Sequence, residues 1–448
     1  MKPYTLKVKH LLVLAALILT PRATNLSAAE AVLSSKDILS SDVVIKPRAD
    51  KACRVNLEIK KRVKNAVKDY NMCSSLTEDQ SDKLQNAIDD MALHGGGKLI
   101  LPKGNYCFSN VYMNTGVHLF IEKGACLKPF IKKSGKNIIM LNFSPKKESE
   151  NFISNCSVQG LDGRYTVDYS DVKDYKQSVR FICCRLVKNF QISDVDIKDN
   201  FTTHCGIIFV PAKTIGADKW EVSRPTDGLI KNCSINHASM GYGLCQLHGA
   251  QSLKFINLFA DGGITLRLES GAGGIYAGVF GITAKNITNQ NGLSAIMMNP
   301  HATQNGTVVI DSVWTKSSSF AVLIRQGFID RKHKNDPSAR IGSYANDCKI
   351  SHIHAIYGIN AQIDRKDIWV LDPSLYKKIK GYSHFSTKTI IGPSLATVLD
   401  DTNSNYKVTC TDITSEGFTY YSNRVLFSKE LNNRKKQTWQ ILKQLNIK

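Results

Sequence analysis

The sequence predicts an all-β chain wound as a right-handed parallel β-helix with an N-terminal capping helix. Three observations point there. Short apolar strands recur from about residue 150 with no helical pattern between them. Taking Ile230, Ile256, Ile282 and Ile310 as equivalent gives steps of 26, 26 and 28 residues. A second strand follows in each coil, at residues 244–247, 265–269, 295–298 and 321–324. Strands that return once per coil read as a parallel solenoid, whereas those of a β-sandwich would not repeat coil by coil.

The elements follow in order. Lys2, Lys7 and Lys9 precede an apolar run at residues 11–19 and then Ser27, Ala28 and Ala29. This is the pattern of a secretory leader, too short to span a bilayer, with cleavage before Glu30. Residues 30–76 read as an irregular opening segment. Thr77 is placed to cap a helix with Leu84, Ala87, Ile88 and Met91 on one face, stopped by Gly95, Gly96 and Gly97. Such a helix suits the open end of a β-helix, which would otherwise expose backbone and core. Residues 77–360 form the β-helix. Longer steps between Ile192 and Ile230, and between Ile310 and Ile350, place insertions at residues 200–224 and 327–347. Residues 361–448 lose the period and read as irregular strands and a basic cover within the same domain.

The chain carries 59 Lys and Arg against 38 Asp and Glu, a net charge of +21. Removing the leader takes away Lys2, Lys7, Lys9 and Arg22 and leaves about +17, a charge that attracts polyanions. The basic residues are scattered, with no nucleic-acid module or dense basic helix, which lowers the nucleic-acid reading and leaves an acidic polysaccharide, anionic lipid or a merely basic surface open. No stretch after the leader is long and apolar enough for a membrane span. Twelve cysteines in an exported chain raise disulfides, but their spacing is irregular and several occupy inward positions, Cys233 and Cys245 among them. Buried free thiols with one or two bridges are expected, and no cysteine or histidine spacing suggests zinc.

Candidate chemistry gathers in residues 241–301. Gln246 and Glu269 lie 23 residues apart, about one coil. On the strand of Glu269, alternation sets Thr265, Arg267, Glu269 and Gly271 on one face and Leu266 and Leu268 in the core. A lone strand glutamate is more often a solvated residue, so its surroundings must carry the case. A carboxylate beside a guanidinium in a groove suits a sugar-cleaving site. Arg267, and less strongly Arg325, could take a sulfate, since the guanidinium fork matches oxyanions.

The helix, the triple glycine and the turn through Pro102, Gly104 and Tyr106 resemble the opening of the pectate lyase and polygalacturonase superfamily. The Asp pair and the Gly-His-Gly of polygalacturonases are missing, as is the acidic calcium cluster of pectate lyases. A more specific set consists of residues 227–232, Gly241, Tyr242, Gly243, Gln246, Asp261, Gly262, Gly263, residues 266–269, Pro300, His301 and residues 391–396. It resembles the iota-carrageenases, glycoside hydrolase family 82, over residues 77–400. The resemblance implies a secreted, processive enzyme that hydrolyses a sulfated red-algal galactan with inversion. By position it makes Glu269 the general acid, Gln246 a holder of the catalytic water or an ion, and His301 an auxiliary residue.

The family's general base is an aspartate two positions after the acid, and i and i+2 on a strand lie about 6.6 Å apart on one face. Here that position is Gly271, which cannot accept a proton, so Asp261 and His301 are the alternative bases. The resulting expectation is a secreted monomer that requires no cofactor, with a bound ion in the groove left open. Its partner is carrageenan, with no nucleic acid and no membrane. A sulfated-polysaccharide-binding protein without catalysis, or a hydrolase of a differently sulfated carrageenan, are the alternatives.

Overall fold

Stacked rungs of parallel strands run through most of the described residues, from Val63 to Phe427. A computed structural model gives the structure of residues 53–447, apart from residues 132–136, 148–151, 174–176, 214–221, 271–277, 330, 332–333, 338 and 384–388. The leader with its cleavage point and Gly271 therefore lie outside the described residues. The fold is a right-handed parallel β-helix, as expected. One inward column runs Leu99, Leu119, Val158, Ile192, Ile230, Phe255, Ala284, Ile310 and Ile350, each paired in parallel with the next. A second runs Ile207, Cys245, Leu266, Ile296, Val322 and Val398. All of these side chains are buried. Apolar residues at every second position, stacked coil on coil, make one continuous core.

The register corrects one sequence expectation. Ile230 pairs with Phe255, not Ile256, and Phe255 with Ala284. Ile256 is therefore turned outward and half-buried, because a one-residue slip moves a side chain to the opposite face.

Long strands wrap round the corners of the coil. Strand Thr226–Leu247 and strand Ala250–Glu269 each bend at a residue in the left-handed region, Asn232 (φ 54°) and Asn257 (φ 55°). Asparagine tolerates this region better than most residues, because its short amide bonds locally. Here the amides also stack. Asn232 donates to Asp194 (2.9 Å), Asn257 to Asn232 (3.0 Å) and Asn286 to Asn257 (2.8 Å). Asn257→Ala should cost about 1–2 kcal/mol, since alanine meets the full penalty of the left-handed region, and Asn257→Gly should cost less. Thermal unfolding of the two variants checks this, and equal stabilities would show that the bend carries no such strain.

The described part of the opening segment, residues 53–76, is more regular than expected. Strand Val63–Asn65 pairs with strand Gly97–Leu101, and strand Ser75–Asp79 with strand Asn105–Phe108. Ahead of them, residues 53–58 lie across the coils. Asn155 binds the backbone N–H and carbonyl of Glu58 (both 2.8 Å), and Asn189 does the same for Asn56 (2.9 and 2.8 Å). Helix Ser81–Leu93 buries Leu84, Ala87, Ile88 and Met91 in the core, as its periodicity predicted. Its cap differs: Thr77 lies on a strand, and the Asp79 carboxylate takes the Ser81 N–H at 3.0 Å.

Two further expectations change. Strand Ile207–Phe209, inside the expected insertion at 200–224, is a regular rung. The period also continues past residue 361, with strand Val398–Asp401 pairing with strand Phe320–Arg325 and strand Val425–Phe427 stacking on it. Beside these rungs, strands Ala361–Asp364, Gly381–Ser383 and Thr389–Gly392 form a small antiparallel sheet. It shares a second core around Trp369 with Ile441 and Leu442 of helix Thr438–Gln444. All twelve cysteines are free thiols, so the expected bridges are not formed. No described helix is long and apolar enough to cross a membrane.

Candidate active site

Glu269 closes strand Ala250–Glu269, with Leu266 and Leu268 buried behind it. Its carboxylate is the centre of a cluster drawn from three neighbouring strands. Arg267, two residues back on the same face, places Nη2 2.6 Å from Oε2 and 2.7 Å from Oε1. Gln246, on the preceding coil and in register with Arg267, donates Nε2–H to Oε2 at 2.8 Å. Asn299, in register with Glu269 on the following coil, approaches Oε1 at 3.3 Å. His301 Nε2 lies 3.2 Å from the same oxygen and 3.0 Å from the Asn299 amide. An ionised Glu269 selects the ring form with a proton on Nε2, so the histidine donates to the carboxylate and Asn299 gives its own N–H to Oε1. Gln246, Arg267, Glu269 and His301, read from the sequence as a group, are thus brought together.

The Glu269 side chain is 11% exposed. Burial opposes its ionisation, but the Arg267 charge and the hydrogen bonds from His301 and Arg267 outweigh it. They hold the carboxyl well below the usual carboxylate range. A carboxyl depressed in this way adds stability that is fully present above about pH 4.5, its ordinary value, and is lost as the pH falls toward the folded value. Arg267→Gln should therefore flatten the loss of stability with acid between about pH 4.5 and pH 2. Urea unfolding across that range measures it, and an unchanged slope would mean that Arg267 does not hold the charge.

Several sequence expectations are corrected by this geometry. Arg267 does not project freely toward a ligand: Nη2 is committed to Glu269, and Nη1 donates to the Gly241 carbonyl. Gln246 has both amide ends engaged, Nε2 on Glu269 and Oε1 accepting from the Cys205 thiol at 3.5 Å. Arg325 is not in a groove at all. Its guanidinium is 9% exposed and meets Asp367 through two bonds of 2.7 and 2.5 Å, so burial and pairing take it away from any sulfate. Asp261 bonds to Asn291 at 3.0 Å and lines a different cavity of about 270 Å³ with Phe201, His237 and Gln362. His301 is so tightly set against Glu269 that no water fits between them.

Sequence reasoning missed Asn299, His248 and Phe328. Asn299 could have been found from its place 30 residues after Glu269, one coil on. His248 holds the Glu269 backbone, its Nδ1–H donating to the Glu269 carbonyl at 2.8 Å. Phe328 packs its ring 4.6 Å from that of His301 and is 46% exposed beside the cluster. No group of three or more His, Cys, Asp or Glu among the described residues is arranged to hold a metal ion.

A right-handed parallel β-helix that carries a buried carboxylate and its cationic partners on one outer strand face defines a class of β-helical proteins with a laterally placed site. Comparison with known proteins narrows the class. No family model matches the chain. The curated iota-carrageenase of Zobellia galactanivorans is 37% identical over 272 residues, 60% of this chain and 53% of that protein. That of Alteromonas macleodii is 31% identical over 309 residues, 68% and 59% of the two chains. The chain thus spans little more than half the length of the curated relatives it matches.

A solved 1,3-α-1,4-β-D-galactose-4-sulfate-3,6-anhydro-D-galactose-2-sulfate 4-galactohydrolase aligns with a TM-score of 0.74 and 26% identity, covering 84% of this chain and 92% of that one. An iota-carrageenase complexed to iota-carrageenan fragments gives 0.74 and 25% with the same coverage. Over the matched residues the chain is therefore similar in sequence and in fold to the iota-carrageenases.

Proposed function

We propose that the chain is a secreted glycoside hydrolase that cleaves β-1,4 linkages of iota-carrageenan with inversion, Glu269 acting as general acid. One observation carries the reading. Among the described residues the site has a single buried carboxylate, gripped by an arginine that a sulfate ester could recruit. In the free protein Glu269 is ionised and cannot donate a proton. A substrate sulfate on Arg267 draws the guanidinium away, and burial, now opposed only by the hydrogen bonds from His301 and the two amides, raises the Glu269 pKa so that it takes up a proton for the leaving oxygen. The anionic substrate would thus create the acid that cleaves it. The net positive charge supports a polyanionic substrate, and the secretory leader supports action outside the cell.

Inversion needs a second group about 6.5–9.5 Å from the acid, with room for water. Among the described residues no other carboxylate joins the Glu269 cluster. That fact favours a second reading, in which the chain binds sulfated galactan without cleaving it. Release of reducing ends from purified iota-, kappa- and lambda-carrageenan separates the two readings. NMR of the first-formed anomer tests inversion. Preferential cleavage of the iota form with an α-anomer product supports the proposal, and tight binding with no new ends sinks it.

The sulfate-driven protonation has its own test. In Arg267→Gln the carboxyl is freed, so the basic limb of the pH profile of kcat/KM should move to higher pH. A limb that stays in place would show that Arg267 does not govern the acid.

A further inference from the structure

Arg180 has a neutral partner where five other arginines have a charged one. Arg62, Arg164, Arg267, Arg325 and Arg424 each meet a carboxylate. Arg180 instead gives an Nη2–H to Nδ1 of His204 at 2.6 Å, and among the described residues no carboxylate pairs with it. The histidine must then be neutral with a bare Nδ1, leaving its Nε2–H for the side-chain Oδ1 of Asn137 at 3.3 Å. Burial, with the charges of Arg180 and His248 adding to it, pushes the His204 pKa down to about 4, so it stays neutral near pH 7. A carboxylate in this place would orient the guanidinium and cancel its charge. A neutral imidazole orients it and leaves the charge intact.

The position of this pair gives the free charge a use. Ile182, two residues after Arg180, pairs with Ile207, which pairs with Cys245 and then Leu266. Arg180 therefore stands three rungs before the coil of Arg267, about 14 Å along the axis. Tyr242 bridges the interval: its ring meets His204 edge-on at 5.5 Å, and both Arg180 and Arg267 are close enough to act on its hydroxyl electrostatically. The Tyr242 hydroxyl has no hydrogen-bond partner among the described residues.

We propose that Arg180, held by His204 and flanked by Tyr242, binds a second sulfate ester of the galactan, three rungs from Glu269, and so reads the sulfation pattern along the chain. The proposal rests on the reading of this protein as one that engages a sulfated galactan. A guanidinium fork recognises a tetrahedral oxyanion through paired N–H groups, and the separation means that only an oligosaccharide, not a single sugar, touches both arginines.

Calorimetric binding to the mature protein decides it, with three probes: sulfated carrageenan oligosaccharides, their chemically desulfated counterparts and inorganic sulfate. Arg180→Gln should weaken the sulfated oligosaccharide about tenfold, leave the desulfated one unchanged and flatten the salt dependence. Arg180→Lys, which keeps the charge and loses the fork, should fall between. Equal weakening of both oligosaccharides, or none, overturns the proposal. So does inorganic sulfate binding to the wild type as tightly as the oligosaccharide, which would make this a free-anion site. In hydrolysis the variant should raise KM with kcat within about twofold. A wild type that binds but never cleaves would refute the hydrolase reading, while the binding comparison would still judge Arg180.

Discussion

Replacing Glu269 with glutamine is expected to lower hydrolysis of iota-carrageenan by about 10²–10⁴-fold, the usual contribution of a general acid, while leaving galactan binding largely intact. Glutamine keeps the shape and can still accept from Gln246 and Asn299, but it cannot deliver a proton. It also leaves the Arg267 guanidinium, 15% exposed, without its counter-charge. Removing one member of a buried pair costs about 3–5 kcal/mol in general, and the partial exposure here should reduce that. Melting temperature and initial rate must therefore be read on the same sample. Turnover within tenfold of wild type in a folded Glu269→Gln protein would show that another group protonates the leaving oxygen. A loss of activity accompanied by unfolding is separated from chemistry by binding, which a misfolded chain could not retain.

The largest effect on stability is expected at Asp367. Its side chain is fully buried and bonds twice to Arg325, with Asp401 standing only at 3.9 Å. Asp367→Ala should cost about 3–5 kcal/mol, because it strands a buried guanidinium. Replacing both partners together, Arg325→Met with Asp367→Leu, should cost far less than either single change, since no charge is then left unpaired. Urea unfolding of the three variants tests this. If Arg325 served a sulfate instead, Asp367→Ala would leave stability near wild type and alter binding.

The contrast between Glu269 and Arg325 shows what was legible in the sequence. Gln246, Arg267 and Glu269 could be gathered because they lie on repeating strands, where alternation fixes the face and one coil fixes the neighbour, while His301, in the turn just after strand Ser294–Asn299, was found through its motif with Pro300. Arg325 also lies on such a strand, but its partner belongs to the short helix Arg365–Val370, outside the repeat, and no periodicity announces it. The fold class followed from the repeat for the same reason, yet the register at residues 255 and 256 did not. Coil length varies with the corners, so equal steps chose Ile256. Alternation with Leu253, which is buried, selects Phe255. The strands at residues 398–401 and 425–427 escaped notice because the small antiparallel sheet interrupts the period before them.

Residues 53–58 lie across coils that are made much later. The amides that hold them belong to Asn155 and Asn189, 97 and 133 residues further on. At ordinary rates of synthesis that gap is on the order of ten seconds. Residues 53–58 must wait, unseated, until those coils are wound. Their seating then ties an early stretch of the polypeptide to the completion of its middle, so that residues 53–58 are loose in an unfinished molecule and held in a finished one.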